Sequence, residues 1–163
     1  MNLHACPCGF YGDPTKECTC SESVVSRYQK RISGPLLDRV DIFVEVPRVD
    51  YEKLAADTAG EPSADIRARV EGARRVQKGR FQDTRFICNA EMTPTEVREH
   101  CQDHLEDPAR SLLRLAMQQL SLSARAFHRI LKLARTIADL SGQEVIASQH
   151  VAEAIQYRNR GRS

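Results

Sequence analysis

Six cysteines occur in the chain, and four of them form two Cys-x-Cys pairs near its start. Nine residues separate the pairs, and Gly9 directly after the first pair allows a tight backbone turn. Four thiolates at two turns can close a tetrahedral zinc site, which would stabilise a segment too short and polar to bury a core. The sequence therefore predicts structural zinc, with reduced thiols or disulfides as alternatives. The ligands would be Cys6, Cys8, Cys18 and Cys20.

A second set of potential metal ligands comprises Cys88, His100, Cys101 and His104. The two histidines are four residues apart and could share one face of a helix. However, Cys101 falls on a predicted apolar face, and Cys88 lies in an apolar run. Buried thiols and solvated histidines explain this set better than a metal site does.

Arg39 is the strongest candidate for a catalytic residue, because Asp38 and Asp41 flank it at the start of a strand-like segment. A guanidinium supplied across a subunit boundary can stabilise the charge that builds on the γ-phosphate during ATP hydrolysis. Such an arginine must be held rigidly, which the two carboxylates could do. On residue types alone, simple pairing of Arg39 with these carboxylates is the favoured alternative.

Arg125 is the second candidate, in the first turn of the long helix that is expected to begin at Ser123. The backbone N–H groups and the helix dipole favour an anion there, so Arg125 could sense a phosphate. Arg129, Lys132 and Arg135 are expected to continue along the polar face of this helix. No phosphate-binding loop of the form G-x-x-x-x-G-K-[ST] and no apolar run ending in Asp-Glu occurs. The chain alone therefore shows no complete active site.

The net charge of +2 conceals a basic C-terminal third. From Arg110 onward, nine Lys and Arg residues stand against three Asp and Glu residues. This excess suits a polyanionic partner such as nucleic acid, although a solvated helix surface explains it equally. No apolar run approaches the roughly 20 residues that span a bilayer, and no secretory signal opens the sequence. We therefore expect a cytoplasmic protein without membrane contact.

Capping residues and apolar periodicity predict a mainly helical fold. The helices are expected over 22–30, 63–80, from Thr93, from Asp107, from Ser123 to Gly142, and from Ser148. Ser21, Ser63 and Ser148 are expected as caps, and Thr93, Pro94 and Glu96 as a capping box. The apolar faces should carry Ile66, Val70, Ala73, Val97, Cys101, Leu105, Leu112, Leu113, Ala116, Leu120, Phe127, Ile130, Leu131, Ala134, Ile137, Ala138, Val151, Ala154 and Ile155.

Residues 41–46 are dense in β-branched and apolar side chains and are closed by Pro47, so they predict one strand. A lone strand cannot form a sheet, and we expect its partners to lie in another chain or in further sequence. Near Gly60 the sequence changes to helical periodicity with capping residues, which predicts two regions. Residues 1–59 hold the cysteine pairs, Arg39 and the strand, and residues 60–163 form a helical bundle.

Four stretches resemble the magnesium-chelatase-like AAA+ ATPases of the ComM/YifB competence-protein family. They are CPCGFYGDP at 6–14, ISGPLLDRVD at 32–41, VEVPRV at 44–49, and LSARAFHRIL at 122–131 continued by ARTIADL at 134–140. The similarity covers almost the whole chain. It implies that residues 1–59 are the end of a truncated α/β AAA+ core and that residues 60–163 are a C-terminal helical domain containing the lid.

The resemblance further implies roles for individual residues and for partners. Arg39 would be the arginine finger acting in trans, and Arg125 the lid arginine that senses nucleotide. ATP and Mg²⁺ would be bound mainly by the missing core of a homo-hexameric ring. That ring would move on DNA as a helicase-like motor, migrating branches during natural transformation, and this chain alone should be inactive.

Two other functions remain open from the sequence. The chain could be a freestanding, zinc-stabilised helical module that binds nucleic acid through its basic C-terminal third. It could also be a remnant with only an interaction role, such as capping intact rings. No particular residue is identified as a nucleic-acid contact.

Overall fold

The computed structural model describes residues 4–31, 36, 39–44, 46, 49 and 60–158. These parts are mainly helical with almost no strand, as the sequence predicts. Their α-helices are α1 (Glu22–Gln29), α2 (Ser63–Arg80), α3 (Pro94–Val97), α4 (Asp107–Gln119), α5 (Ala124–Leu140) and α6 (Ser148–Gln156). None of these helices has the length and apolar character required to cross a membrane.

Two compact units make up the chain. One unit comprises Met1–Val40 and Val44–Ala56. The other, here called the helical unit, comprises Asp41–Phe43 and Asp57–Ser163 and therefore contains α2 to α6.

The helix starts follow the predicted capping chemistry at one of the four expected positions, and Ser123 adds a cap beyond those predicted from the sequence. The Thr93 N–H donates to Glu96 Oε2 at 2.9 Å, which closes the predicted capping box of α3. The Ser123 Oγ accepts the Ala126 N–H at 3.2 Å and caps α5. Beyond α3 the chain continues as a π-helical segment, Arg98–Gln102.

The other three predicted serine caps differ from the structure. Ser63 and Ser148 are the first helical residues, behind Pro62 and Ala147. At α6 the ring of His150 accepts the Ala147 N–H at 3.0 Å, so a histidine satisfies the donor that a serine was expected to satisfy. Ser21 is the N-cap residue of α1, but its side chain makes no capping hydrogen bond.

The core of the helical unit surrounds α5, which packs against α2, α6 and the segment from 89 to 102. Its 17 residues bury one face, and Gly142, at φ 68°, follows its end in the left-handed conformation that favours glycine. Most predicted core positions are confirmed. The fully buried ones are Val97, Cys101, Ile130, Leu131, Ala134, Ala138, Val151 and Ala154.

The predicted apolar face of α2 is wrong over its first half. Ile66 and Val70 are 43% and 40% exposed, whereas Ala73 is buried. Only the second half of α2 has buried side chains, and one of them is the polar Gln77. Leu120 is also exposed, because α4 ends one residue before it.

The predicted strand at 41–46 is not formed in its described residues, 41–44 and 46. A strand requires a ladder partner, and the backbone N–H of Phe43 instead donates to the Tyr157 carbonyl, just beyond α6, at 2.8 Å. This hydrogen bond attaches residues 41–43 to the helical unit. Glu45, in the middle of the predicted strand, lies outside the described residues.

A buried carboxylate joins three parts of the helical unit. Arg80 at the end of α2 donates to both oxygens of Asp139 on α5, at 2.8 and 2.6 Å. Arg135 Nε donates to the same carboxylate at 3.0 Å, and Asn89 Nδ2 at 2.8 Å. The side chains of Asp139, Arg135 and Arg80 are 0%, 2% and 13% exposed. We call these four residues the Asp139 network.

The Asp139 network also fixes the turn after α5. The Arg135 guanidinium donates to the carbonyls of Gln143 and Glu144. Burial alone would raise the pKa of Asp139, but hydrogen bonds from Arg80 and Asn89 lower it below its usual range. The carboxylate therefore stays ionised as the shared counter-charge of two guanidinium groups.

Replacement of this carboxylate should strongly destabilise the helical unit. We expect Asp139→Asn to lower the free energy of unfolding by about 3–5 kcal/mol, because two guanidinium groups lose their counter-charge in a buried site. Urea unfolding followed by circular dichroism measures this. Asp103→Asn, the same change at an exposed position, should be near neutral. A loss below about 1 kcal/mol for Asp139→Asn would contradict the role assigned to the network.

The same variant should alter the acid dependence of stability. Because the folded-state pKa of Asp139 is lowered, its contribution is present above its unfolded pKa of about 3.9 and is lost as the pH falls through the folded value. Stability of the unmodified chain should therefore decline more steeply than that of Asp139→Asn below about pH 4. Parallel acid-limb slopes would rule out a lowered pKa at Asp139.

Candidate functional sites

The two Cys-x-Cys pairs come together in space. The sulfur of Cys6 lies 3.3 Å from that of Cys8 and 3.7 Å from that of Cys18, and the sulfurs of Cys8 and Cys18 are 3.5 Å apart. With Cys20, all four sulfur atoms lie within 4.8 Å of one another. We call these residues the four-cysteine cluster. Its members are free thiols, and Cys6 is buried.

The thiols of this cluster differ in acidity. The backbone N–H of Phe10, and then the thiol of Cys6, donate to the sulfur of Cys8 and lower its pKa to about 6. A thiolate is the form that ligates metals and reacts as a nucleophile. The cluster therefore already favours an anionic sulfur at one of its four positions.

The second cysteine and histidine set does not assemble. Among the described residues, the grouping of metal-binding side chains is the four-cysteine cluster. Cys101 is fully buried, and burial raises its pKa to about 12. The His100 ring packs edge-on against Phe81, with 5.7 Å between ring centroids. These side chains are part of the packing, which agrees with the interpretation favoured from the sequence.

Arg39 is exposed, and its backbone N–H donates to the Leu36 carbonyl at 3.0 Å. Asp41, which the sequence predicts as a partner of Arg39, instead forms an ion pair with Arg129 of α5 at 3.1 Å. Asp38, the other expected partner, lies outside the described residues. The expected rigid clamp on Arg39 is therefore replaced, on the Asp41 side, by a contact within the helical unit.

Arg125 is exposed in the first turn of α5, where the sequence predicts it. The prediction that Arg135 lies on the polar face of this helix is wrong, because Arg135 is buried in the Asp139 network. Lys132 donates to the Ala90 carbonyl at 2.8 Å, and Arg129 pairs with Asp41. These contacts tie Arg129, Lys132 and Arg135 to other parts of the helical unit. Arg125 lies at the exposed start of the helix.

Sequence reasoning missed the Asp139 network. The four-residue spacing of Arg135 and Asp139 on one helix was a visible signal of an ion pair. The pairing of Arg80 with Asp139 joins positions 59 residues apart, and no local pattern indicates it. The network has no reacting group. Its role is to hold the C-terminal end of the helix that presents Arg125.

The residues present do not build a complete nucleotide site. The sequence contains no phosphate-binding loop. In the described part of the chain, carboxylates contribute to no shared metal-binding group, so no acidic Mg²⁺ site is formed there. Arg39 and Arg125 offer cations that could contact phosphate oxygens. We therefore assign no step of ATP hydrolysis to Mg²⁺ held by this chain.

Comparisons with known proteins place the chain in a family. Residues 60–158 match the family model described as magnesium chelatase, subunit ChlI C-terminal, and residues 1–54 match that of magnesium chelatase, subunit ChlI. Competence protein ComM of Haemophilus influenzae is 40% identical over 139 residues, which is 85% of this chain. YifB of Escherichia coli is 36% identical over 157 residues, or 96% of this chain.

The chain spans less than a third of the length of these relatives, 26% of ComM and 29% of YifB. An uncharacterized protein of Mycobacterium bovis is 34% identical over 161 residues, which is 99% of this chain and 31% of that protein. The match between residues 60–158 and the C-terminal model covers more than half of the sequence. The chain therefore belongs to the magnesium-chelatase-like (ChlI) family.

Proposed function

We propose that this chain supplies the arginine finger and the nucleotide-sensing lid of an AAA+ ATPase ring that acts on DNA. The ring would be a homo-hexamer that uses ATP and Mg²⁺ to migrate DNA branches during transformation and recombination. The observation that carries the proposal is the exposed Arg125 at the start of a capped, firmly packed helix, within the residues matched to the ChlI C-terminal model. The 40% identity to competence protein ComM supports the DNA-related role.

The start of α5 is suited to sensing an anionic phosphate. The Ser123 cap satisfies one backbone donor, and the dipole of a 17-residue helix favours negative charge near the remaining ones. Ala126 and Ile130, in the first and second turns of α5, are 2% and 0% exposed, so the helix start is held by the core. An arginine at this position would meet a phosphate without first ordering the backbone.

Arg39 is suited to act on a neighbouring subunit. Its side chain is exposed, and the chain has no phosphate-binding loop of its own. A finger arginine is useful only where it reaches a nucleotide that another subunit binds. Exposure of Arg39 is compatible with such action in trans.

Removal of the finger should abolish turnover while ATP binding persists. In this chain joined to the phosphate-binding core of a family member, Arg39→Ala should lower kcat by about 10³-fold or more. The arginine would stabilise the charge that develops on the γ-phosphate in the transition state, so its loss should affect turnover and not ATP binding. Steady-state ATPase assays and binding of a fluorescent ATP analogue separate the two effects. Arg31→Ala, at another exposed arginine, is the matched control. Normal turnover by Arg39→Ala would remove Arg39 from the mechanism.

Loss of the sensor should weaken nucleotide binding. In the same protein, Arg125→Ala should weaken ATP affinity about 10- to 100-fold, because one charge-assisted hydrogen bond contributes roughly 1.5–3 kcal/mol. ADP affinity should change less, since ADP lacks the phosphate that the arginine would contact. Arg114→Ala on α4 is an exposed control. Equal loss of ATP and ADP affinity would contradict a γ-phosphate contact.

The basic C-terminal third favours a second function, nucleic-acid binding by the chain alone. However, Arg135 is buried in the Asp139 network and Arg129 pairs with Asp41. Arg110 and Lys132 donate to the backbone carbonyls of Leu105 and Ala90. These four cations already have protein partners, which weakens the case for a phosphate-binding surface.

The two functions differ in their expected salt dependence. We expect the chain alone to bind a duplex oligonucleotide no more tightly than about 10⁻⁴ M at physiological salt, at the weak limit of non-specific binding. Fluorescence anisotropy across a salt series measures this. A Kd near 10⁻⁶ M with a steep logarithmic salt slope would instead support the freestanding module.

A further inference from the structure

The spacing of the four sulfur atoms in the four-cysteine cluster fits a metal ion better than it fits disulfide bonds. Zn–S bonds of about 2.3 Å in a tetrahedron place the sulfurs roughly 3.8 Å apart. The shortest contacts here are 3.3, 3.5 and 3.7 Å, and all four sulfurs lie within 4.8 Å. A disulfide would require about 2.05 Å between two sulfurs. The arrangement therefore approximates a tetrahedral cage.

Backbone turns, not the metal, set the direction of the first cysteine pair. The Cys6 carbonyl accepts the Gly9 N–H at 3.1 Å, and Gly9 has φ 84°, a left-handed conformation that glycine adopts without strain. This turn points the sulfurs of Cys6 and Cys8 to the same side, 3.3 Å apart. In the ordered segment, this turn therefore holds both ligands of the first pair on one side.

The loop between the pairs is also closed by its own hydrogen bonds. Asp13 Oδ1 accepts the N–H groups of Thr15 and Lys16 at 2.8 and 3.0 Å, together with the Thr15 hydroxyl at 2.8 Å. Such a turn brings the chain back toward the first pair. Cys18 and Cys20 follow this turn, and the sulfur of Cys18 lies 3.5 Å from the sulfur of Cys8.

This segment has almost no apolar core to stabilise it. Across residues 4–31, the buried hydrophobic side chains are Cys6 and Val25. Helix α1 is joined to the start of the segment by a hydrogen bond from Gln29 Nε2 to the Ala5 carbonyl at 3.0 Å. Two buried side chains and a few hydrogen bonds cannot offset the entropy of ordering nearly thirty residues, at about 1–2 kcal/mol each.

We propose that Cys6, Cys8, Cys18 and Cys20 bind one Zn²⁺ tetrahedrally, and that this ion folds residues 5–29 into an ordered unit. Four thiolates fill the coordination sphere and leave no position for a reactive water, so the ion is structural. Binding releases the thiol protons and requires no redox partner. The inference is independent of the proposed ATPase role, because it needs neither nucleotide nor DNA.

The test uses the full chain purified under reducing conditions from zinc-supplemented cells. Elemental analysis should find one zinc per chain. Co²⁺ in its place should give the intense visible bands of a tetrahedral thiolate site. Cys8→Ser and Cys18→Ser should each lose most of the zinc, whereas Cys88→Ser, outside the cluster, should keep it. Zinc well below one per chain, or an octahedral Co²⁺ spectrum, would overturn the proposal.

A second measurement separates a folding role from incidental metal capture. Removal of zinc by a chelator should make residues 5–29 sensitive to limited proteolysis, while the thermal transition of the helical unit stays unchanged. Mass spectrometry of the fragments locates the cuts. Unchanged proteolysis after complete zinc removal would show that the ion does not fold this segment. A collapse of the helical unit in Cys8→Ser would likewise contradict the assignment.

Discussion

The structure of the helical unit depends on one buried charge, the carboxylate of Asp139. It accepts hydrogen bonds from Arg80, Arg135 and Asn89, so it joins the end of α2, the segment before α3 and the end of α5. Breaking a buried ion pair by removing one partner costs more than forming the pair ever gained, because the remaining charge stays buried. The network therefore acts chiefly as a specificity device: it stabilises one arrangement of these three segments and penalises others.

The two units are held by different physical means. The helical unit combines the Asp139 network with a continuous apolar core around α5, including Ile130, Leu131 and Ala134. The segment that carries the four-cysteine cluster has two buried hydrophobic side chains among residues 4–31, so burial contributes little there. The proposed metal ion would supply the stability that burial does not supply in this segment.

How far the sequence predicts the fold depends on the range of each interaction. The capping box at Thr93, the start of α5 near Ser123 and the stop at Gly142 are local, and the sequence predicts them all. The Cys-x-Cys pairs likewise indicate the cluster, because two turns suffice to bring them together. Long-range partners are different. The pairing of Arg80 with Asp139 spans 59 residues, and the exposure of Ile66 shows that an apolar stripe does not itself supply the surface that would cover it.

Residues 41–43 are held within the helical unit by two weak contacts. The Asp41–Arg129 pair is partly exposed, and such pairs contribute about 1 kcal/mol at most. The hydrogen bond from Phe43 to Tyr157 adds about 1 kcal/mol. Together, roughly 2 kcal/mol corresponds to about a thirty-fold preference for residues 41–43 staying attached to the helical unit.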